Sequence, residues 1–207
     1  MNDTEARAWL VEVATVSRET IEQLAMYEAC VRAEQKHQNL VSESTLPTFW
    51  SRHIVDSVQL VRLANRGSWL DIGSGAGLPG IITAIVTGAA TILVEPRARR
   101  VDFLRRTVER LGLAHVTVAA STIEQLPATP VQNITARAVA ALPVLIEMAL
   151  PFADANTVWL MPKGKSAKSE LASLPRAWQG GWTTHASVTN PESLILVGRH
   201  VKLKGKR

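Results

Sequence analysis

The sequence is poor in several features that mark particular classes of protein. Its one cysteine, Cys30, excludes a disulfide within the chain and a cysteine-rich zinc site, and it suits a reducing compartment. No apolar run reaches the roughly 18 residues that indicate a membrane-spanning helix. The first ten residues, MNDTEARAWL, lack the basic and apolar regions of a secretory signal. We therefore expect a cytoplasmic protein without a membrane anchor.

Several catalytic motifs are also absent. No lysine follows the glycine-rich stretch as it does in a P-loop. The single tyrosine, Tyr27, is followed four residues later by Val31, so the Tyr-x-x-x-Lys pair of short-chain oxidoreductases is absent. Ile72 lies two residues before Ser74, which excludes the G-x-S-x-G elbow of serine hydrolases. His53 and Asp56 share a helix face, but no further ligand accompanies them. The sequence thus predicts no metal site.

The composition instead describes a globular chain with an excess of positive charge. Its 207 residues are 46% hydrophobic, enough for one sizeable core, and carry 23 lysines and arginines against 18 acids. The basic residues form two clusters, which could be solvated surface or a contact site for a polyanion such as nucleic acid. With 5% aromatic residues, a stacking surface for single strands is disfavoured. The clusters are Arg97, Arg99, Arg100, Arg105, Arg106 and Arg110, and in the tail Arg199, Lys202, Lys204, Lys206 and Arg207.

The N-terminal third is predicted to be helical. Apolar residues recur at helical spacing from Glu5 to Glu34 without an intervening glycine or proline, which predicts one long helix. The stretch from His37 to Pro47 is predicted to be a loop. A second helix is predicted over Phe49–Leu63, with Thr48 as its candidate N-cap.

From Trp69 onward, short apolar runs alternate with helical stretches, which is typical of a parallel sheet covered by helices on both faces. After Leu171, two extended runs flank Asn190-Pro191 and predict an antiparallel pair at the end of the sheet. The predicted fold is α/β, a Rossmann-like doubly wound sheet, mostly parallel with an antiparallel C-terminal strand, plus an N-terminal helical cap. The predicted strands are Ser68–Ile72, Thr91–Glu95, Val116–Ala119, Ile134–Arg137 and Thr157–Leu160, and the predicted helices are Pro79–Val86, Ala98–Leu111 and Ala140–Leu150.

The stretch WLDIGSGAGLPG, Trp69 to Gly80, places a glycine-rich loop directly after the first predicted strand. Ligands of open α/β sheets bind beyond the carboxyl ends of the strands, so this loop is a candidate cofactor site. The frame Gly75-Gly77-Gly80 matches the G-x-G-x-x-G of dinucleotide-binding proteins and keeps an NAD(P)-dependent oxidoreductase open as an alternative. The frame that begins at Gly73 resembles motif I of class I S-adenosylmethionine (SAM) methyltransferases.

Two acids bear on this choice. Asp71 ends the first strand, where its carboxylate would repel a pyrophosphate but is tolerable beside SAM, which carries a sulfonium and an ammonium. Glu95 ends the next strand and can accept two hydrogen bonds from ribose hydroxyls, a role common to both cofactor classes. The two acids therefore favour SAM without excluding a dinucleotide.

Basic residues are predicted near the same edge of the sheet. Arg137 ends the fourth predicted strand and Lys163 follows the fifth. Arg52 and His53 lie in the second predicted helix. Each of them alone could be an ordinary surface residue, but positions just after parallel strands are where sites collect.

Six segments follow one another along the chain in a recognisable order: NLVSE (39–43), RHIVDS (52–57), DIGSGAGLPG (71–80), LVEPRARRVDFLRR (93–106), ARAVAAL (136–142) and PKGK (162–165). Together they resemble the RsmG (GidB) family of bacterial 16S rRNA guanine-N7 methyltransferases, over nearly the whole chain. The resemblance implies a class I SAM-dependent methyltransferase fold, SAM as cofactor and 16S rRNA of the small ribosomal subunit as substrate. We expect a monomer with a helical cap over 1–66 and a SAM-binding domain over 67–207 that ends in the basic tail.

The resemblance also implies roles for single residues. The glycine loop would hold SAM, Glu95 its ribose, and the backbone of Ile123 and Glu124 its adenine, while Arg137 would lie between cofactor and target. One departure is Thr122, which stands where the family often has arginine, so no role of that arginine is carried over. The implied cofactor-binding residues are Asp71, Gly73, Ser74, Gly75, Gly77, Leu78, Glu95, Ile123, Glu124 and Arg137, and the implied RNA-binding residues are Asn39, Arg52, His53, Arg137 and Lys163.

The chemistry implied by the resemblance is simple. Guanine N7 has a free lone pair and no proton to remove, so its methylation needs no general base. Ordering the two reactants can by itself supply ~7–11 kcal/mol of the barrier. We therefore expect no catalytic base, with Arg137 and Lys163 as positioning residues.

Overall fold

The computed structural model describes residues 1–204, which form a seven-stranded mixed sheet with helices on both faces. The strand order is β3-β2-β1-β4-β5-β7-β6, with all neighbours parallel except the two pairs that involve β7. This confirms the predicted doubly wound sheet with one antiparallel strand near the C-terminus. The strands are β1 (Trp69–Ile72), β2 (Thr91–Val94), β3 (Val116–Ala119), β4 (Asn133–Ala136), β5 (Val158–Lys163), β6 (Trp178–Ala186) and β7 (Leu194–Leu203).

Within the described residues, seven α-helices accompany the sheet. Ala167–Ala172 is a short helix that the sequence analysis did not predict, and Lys206 and Arg207 of the basic tail lie outside the described residues. No helix within residues 1–204 is both long and apolar enough to cross a bilayer. The helices are α1 (Asp3–Glu12), α2 (Arg18–Glu34), α3 (Asp56–Val61), α4 (Gly80–Thr87), α5 (Ala98–Arg110), α6 (Leu142–Ala149) and α7 (Ala167–Ala172).

Two apolar layers cover the faces of the sheet. Successive strand residues point to opposite faces, so Leu93 joins the layer under α4 and α5, whereas Val94 joins the layer under α6 and α7. The α5 helix is amphipathic and turns Val101 and Leu104 inward. Burial on both faces explains the continuous apolar runs of the parallel strands.

The predicted helix over Glu5–Glu34 is wrong in one respect, because the chain forms two helices separated by a turn. Thr15 adopts a positive φ of 52°, and the Ser17 side chain caps α2 by accepting a hydrogen bond from the Thr20 N–H at 3.3 Å. A serine that caps a new helix needs no glycine or proline before it, so the usual breaking signals were absent. The prediction missed this turn because it relied on those signals.

The predicted helix over Phe49–Leu63 is present but begins differently. A 3-10 turn over Glu43–Thr48 runs into a π-helical turn over Trp50–Val55, which continues as α3. Thr48 therefore does not act as the N-cap. π-helical turns place side chains off the ordinary helical register and are frequent at functional sites.

The N-terminal helices share a core with the sheet and brace the glycine loop. Leu24 and Tyr27 of α2 lie in the same buried cluster as Ile81 and Leu93. The buried Tyr27 hydroxyl donates a hydrogen bond to the carbonyl oxygen of Ala76 at 2.7 Å. The helical cap therefore fixes the loop directly, while the boundary at residue 66 stays a prediction.

Candidate functional site

The glycine loop (Gly73–Gly80) leaves the carboxyl end of β1 and bends back into α4. Gly73, Gly75 and Gly77 have φ values of +65°, +57° and +88°, a region that side chains other than glycine rarely adopt. The Ser74 hydroxyl donates to the carbonyl oxygen of Asp71 at 3.0 Å, and its backbone N–H donates to the Val94 carbonyl. The loop is therefore held by its own backbone and by the strand beside it.

Asp71 lies beneath this loop and is fully buried. Its Oδ2 accepts a hydrogen bond from the Gly80 N–H at 3.2 Å, and its Oδ1 has no partner among the described residues. Burial raises the pKa of Asp71 to about 7 despite the hydrogen bond from Gly80. The side chain thus ties the end of β1 to the start of α4, and a direct contact with a cofactor stays a prediction.

Glu95 meets the loop from the end of β2. Its Oε2 accepts from the Gly75 N–H at 2.9 Å and its Oε1 from the Arg97 N–H at 2.9 Å, while Arg100 Nη1 lies 4.0 Å from Oε2. The side chain is 3% exposed. Each carboxylate oxygen has a second lone pair, so Glu95 retains acceptor capacity for ribose hydroxyls.

The geometry of the loop fits a cofactor that is held by backbone and by one carboxylate. A Cβ at Gly77 would lie 2.5 Å from Ile81, and a Cβ at Gly73 would lie 2.7 Å from Val139, so neither position admits a side chain without movement. Val139 stands on the connection between β4 and α6, beside the partly exposed Gly73. A nucleoside cofactor with a zwitterionic tail, such as SAM, suits this set of groups.

A cavity of about 820 Å³ opens beyond the ends of β4 and β5. Its walls come from segments that are far apart in sequence, including both ends of the β6–β7 connection. Three cations face two carboxylates there, which gives the lining a small excess of positive charge. Its polar lining includes Thr45, Arg52, His53, Asp56, Arg137, Lys163, Ser166, Glu170, Ser187 and Ser193.

Arg137 and His53 form a polar chain inside the cavity. Arg137 Nη1 lies 3.4 Å from His53 Nδ1, and His53 Nε2 lies 2.8 Å from the Thr45 hydroxyl, which donates to the Ser42 carbonyl. Burial, together with Arg137 and Arg52, lowers the pKa of His53 to about 3. His53 is therefore neutral and accepts from Arg137 through Nδ1, so it orients this arginine, and contact of His53 with RNA stays a prediction.

Lys163 also lies in the cavity but is held by its neighbours. Its Nζ donates to Glu170 Oε2 at 2.8 Å and to the Ala140 carbonyl at 3.0 Å. Only 11% of its side chain is exposed. Lys163 thus joins the end of β5 to the connection that follows β4, and contact with RNA stays a prediction.

The remaining predicted residues lie on the cavity wall or outside the cavity. Arg52 is exposed on the cavity wall and makes no ion pair within residues 1–204. Asn39 is exposed in a neighbouring depression of about 470 Å³. Ile123 is buried and Glu124 exposed along a separate groove of about 550 Å³ beside Phe152. Of the predicted site residues, four lie together in the cavity, seven lie in or beside the glycine loop, and three lie elsewhere.

The sequence analysis assigned no role in the site to two acids of the cavity, Asp56 and Glu170. Asp56 was visible in the segment RHIVDS, and it follows the arginine of that segment by four residues. Glu170 had no signal, because it lies on the unpredicted helix α7. Both acids contact the basic residues that the sequence had singled out, Arg137 at 3.9 Å and Lys163 at 2.8 Å.

Solved structures with a similar fold include a SAM-dependent methyltransferase from Aquifex aeolicus and proteins in complex with SAM. A cofactor-bound structure of Rv0187 from MTB matches with a TM-score of 0.64 at 16% identity, over 97% of this chain and 98% of the other. M. jannaschii TYW2 in complex with AdoMet matches with a TM-score of 0.61 at 10% identity, over 81% and 80%. The fold is therefore that of the SAM-dependent methyltransferases.

The sequence comparisons define the family within this fold. Residues 20–194 match the family model described as GidB, rRNA small subunit methyltransferase G. The protein named ribosomal RNA small subunit methyltransferase G from Zymomonas mobilis subsp. mobilis is 42% identical, over 100% of this chain and 98% of the relative. Its namesake from Sphingopyxis alaskensis is 44% identical, over 93% and 84%. The chain belongs to the rRNA small subunit methyltransferase G family, which confirms the resemblance and decides against the oxidoreductase alternative.

Proposed function

We propose that this methyltransferase transfers the methyl group of SAM to N7 of a guanine in 16S rRNA of the small ribosomal subunit. The observation that carries the proposal is the position of the cavity beside the glycine loop. Arg137 of the cavity follows β4, and β4 pairs with β1, from which the glycine loop leaves. The names of the relatives, ribosomal RNA small subunit methyltransferase G, supply the substrate class. A concave site beside a cofactor loop has room for a base that leaves its stack.

On the cofactor side, SAM supplies a methyl group on a positively charged sulfur. The backbone of Gly73, Ser74, Gly75, Gly77 and Leu78 would hold its methionine portion. Glu95 would accept from the ribose hydroxyls, and the backbone of Ile123 and Glu124 would border the adenine. Asp71 supports the loop from below through the Gly80 N–H.

On the target side, the residues of the cavity position the base and its phosphates. Arg137 stands between the two parts of the site and is oriented by the neutral His53. Arg52 is free to pair with phosphate at the rim, and Asn39 continues this surface outside the cavity. Lys163 holds two walls of the cavity together through Glu170.

No general base is required for this step. N7 attacks with its own lone pair, so no proton has to leave in the step. His53 has a pKa lowered to about 3 and gives both ring nitrogens to neighbours. Lys163 is paired with Glu170. The protein therefore accelerates the reaction by holding the two reactants in line, for which orientation can supply ~7–11 kcal/mol.

This function also bears on the compartment and the oligomeric state of the protein. An enzyme that modifies ribosomal RNA of a bacterium works in the cytoplasm, where small subunits are assembled. A monomer suffices, because every residue named for cofactor and target lies on one chain.

The test is transfer of labelled methyl groups from SAM to ribosomal RNA from a strain that lacks this protein. Small subunits and free 16S rRNA are offered separately, and the methylated position is mapped by cleavage at N7-methylguanosine. We expect one labelled guanine in 16S rRNA. Label in another RNA class, or at an atom other than N7, would overturn the proposal. Thermal stabilisation by SAM and S-adenosylhomocysteine but not by NAD(P) is the accompanying expectation.

A further inference from the structure

Two carboxylates line the cavity, and one of them is already fully engaged. Glu170 Oε1 accepts from the Ser166 hydroxyl at 2.8 Å, and Oε2 accepts from Lys163 Nζ at 2.8 Å and from the Leu142 N–H at 3.1 Å. Burial opposes its charge, but the hydrogen bonds from Lys163 and Ser166 outweigh burial and lower the pKa of Glu170. Glu170 is therefore a structural member of the wall.

Asp56 differs because its two oxygens have unlike surroundings. Oδ1 accepts from Gln59 Nε2 and the Thr189 hydroxyl, each at 2.9 Å, and lies 3.4 Å from the Ser187 hydroxyl. Within residues 1–204, Oδ2 accepts no hydrogen bond, and Arg137 Nη1 lies 3.9 Å away. The side chain is 21% exposed. One oxygen thus fixes the carboxylate, and the other remains an open acceptor on the cavity wall.

An open carboxylate oxygen discriminates between the two purines. The Watson–Crick edge of guanine presents two adjacent donors, N1–H and the N2 amino group, whereas adenine presents the lone pair of N1 at the corresponding position. A flipped base is read through hydrogen bonds to this edge. N7 lies on the opposite side of the purine, so a carboxylate that binds the Watson–Crick edge leaves N7 free to react.

We propose that Asp56, through Oδ2, is the residue that selects guanine in the cavity by accepting hydrogen bonds from its Watson–Crick edge. The proposal rests on the function proposed above and names a specificity residue within the same site. The guanidinium of Arg137, whose Nη1 lies 3.9 Å from Oδ2, partly balances the charge of the Asp56 carboxylate. The hydrogen bonds to Oδ1 from the segment after β6 hold the carboxylate in one orientation.

A purely structural role is the competing account, since Asp56 also clamps that segment onto α3. The two accounts differ in what inosine would show. Inosine lacks the N2 amino group but retains N7, so it removes one donor of the proposed contact and leaves the reacting atom in place. A structural clamp cannot sense this group.

The experiment is single-turnover methyl transfer to 16S rRNA that carries guanosine or inosine at the methylated position. The wild type should react about 10- to 100-fold more slowly with inosine, the usual consequence of removing a hydrogen bond to a charged group. Asp56→Asn should be slow with guanosine, and its guanosine-to-inosine ratio should fall to within about threefold of unity. Thr189→Val is the matched control, because it removes one donor to Oδ1 and a contact with the Ser187 hydroxyl but leaves Oδ2 in place, and it should keep the wild-type ratio.

The outcomes separate this inference from the proposed function. Equal wild-type rates with guanosine and inosine, or a wild-type ratio retained by Asp56→Asn, would overturn the role of Asp56 while N7 methylation stands. Failure of the wild type to methylate guanosine at N7 would instead overturn the function itself. Thermal unfolding and a SAM-induced shift show whether Asp56→Asn is folded. If it is not, the wild-type comparison still decides, since equal rates alone contradict the proposal.

Discussion

The glycine loop and the cavity lie side by side but are built in opposite ways. The loop is one continuous segment, shaped by backbone hydrogen bonds and supported by a buried acid, Asp71. The cavity is assembled from distant segments, and side chains that surround the buried imidazole of His53 hold it together. A cofactor that all methyltransferases of this fold share suits a fixed backbone site, whereas a particular target base suits a wall of side chains.

The largest expected effect concerns the pH dependence of the free energy of unfolding. The glycine loop buries a carboxyl group, Asp71, whereas the cavity buries an imidazole, His53. The folded pKa of Asp71 is raised from 3.8 to about 7, so between these values the folded state holds a proton that the unfolded state has released. Asp71 therefore makes stability fall as the pH rises through this window, by about 4 kcal/mol in all. Asp71→Asn should remove this slope.

His53 acts in the other direction. Its pKa is lowered from 6.5 to about 3, so between these values the unfolded state binds the additional proton and stability falls as the pH drops. His53→Gln should remove that loss and leave the slope due to Asp71. Urea unfolding of both variants and the wild type between pH 4.5 and 7.5 measures the difference. Parallel curves for the three proteins would show that neither group is buried as described.

The next effect tests the rigidity of the loop by adding a single methyl group. In Gly80→Ala the new Cβ would collide with Leu93 and lie 2.6 Å from Asp71 Oδ2, so we expect a loss of about 3 kcal/mol in the free energy of unfolding. Gly88→Ala is the matched control at the other end of α4, where a Cβ meets open space. There the positive φ of 64° should cost only about 1 kcal/mol. Equal losses would contradict the close packing of the loop on β2.

The contrast between a continuous loop and a cavity built from distant segments explains which features could be predicted from the sequence. The glycine loop, the strand ends at Glu95 and Arg137 and the order of strands and helices follow from local signals, namely glycines, apolar runs and their alternation. The role of His53 could not be predicted, because its neutrality depends on burial and on an arginine 84 positions away. The place of Asp56 in the cavity could not be predicted for the same reason, since residues near 187 supply its partners only after folding.

A smaller effect tests whether the cavity wall depends on paired side chains. Lys163→Met and Glu170→Gln should each cost about 2 kcal/mol, because each leaves a largely buried partner without its ion pair. The double variant should cost about 1–2 kcal/mol less than the sum of the two, which urea unfolding of all four proteins measures. Strict additivity would mean that Lys163 does not depend on Glu170 and is free to reach RNA.

The smallest effect concerns Arg52, the exposed arginine of the cavity wall. Its loss removes no ion pair within the described residues, so Arg52→Gln should leave the free energy of unfolding unchanged within about 0.5 kcal/mol. If Arg52 contacts one phosphate, the slope of log affinity for 16S rRNA against log salt concentration should become shallower by about 0.7–0.9. Arg18→Gln, an exposed arginine at the start of α2 outside the cavity, is the control and should keep the wild-type slope. An unchanged slope in Arg52→Gln would place the phosphate path away from the cavity rim, and would confine recognition to the side chains inside it.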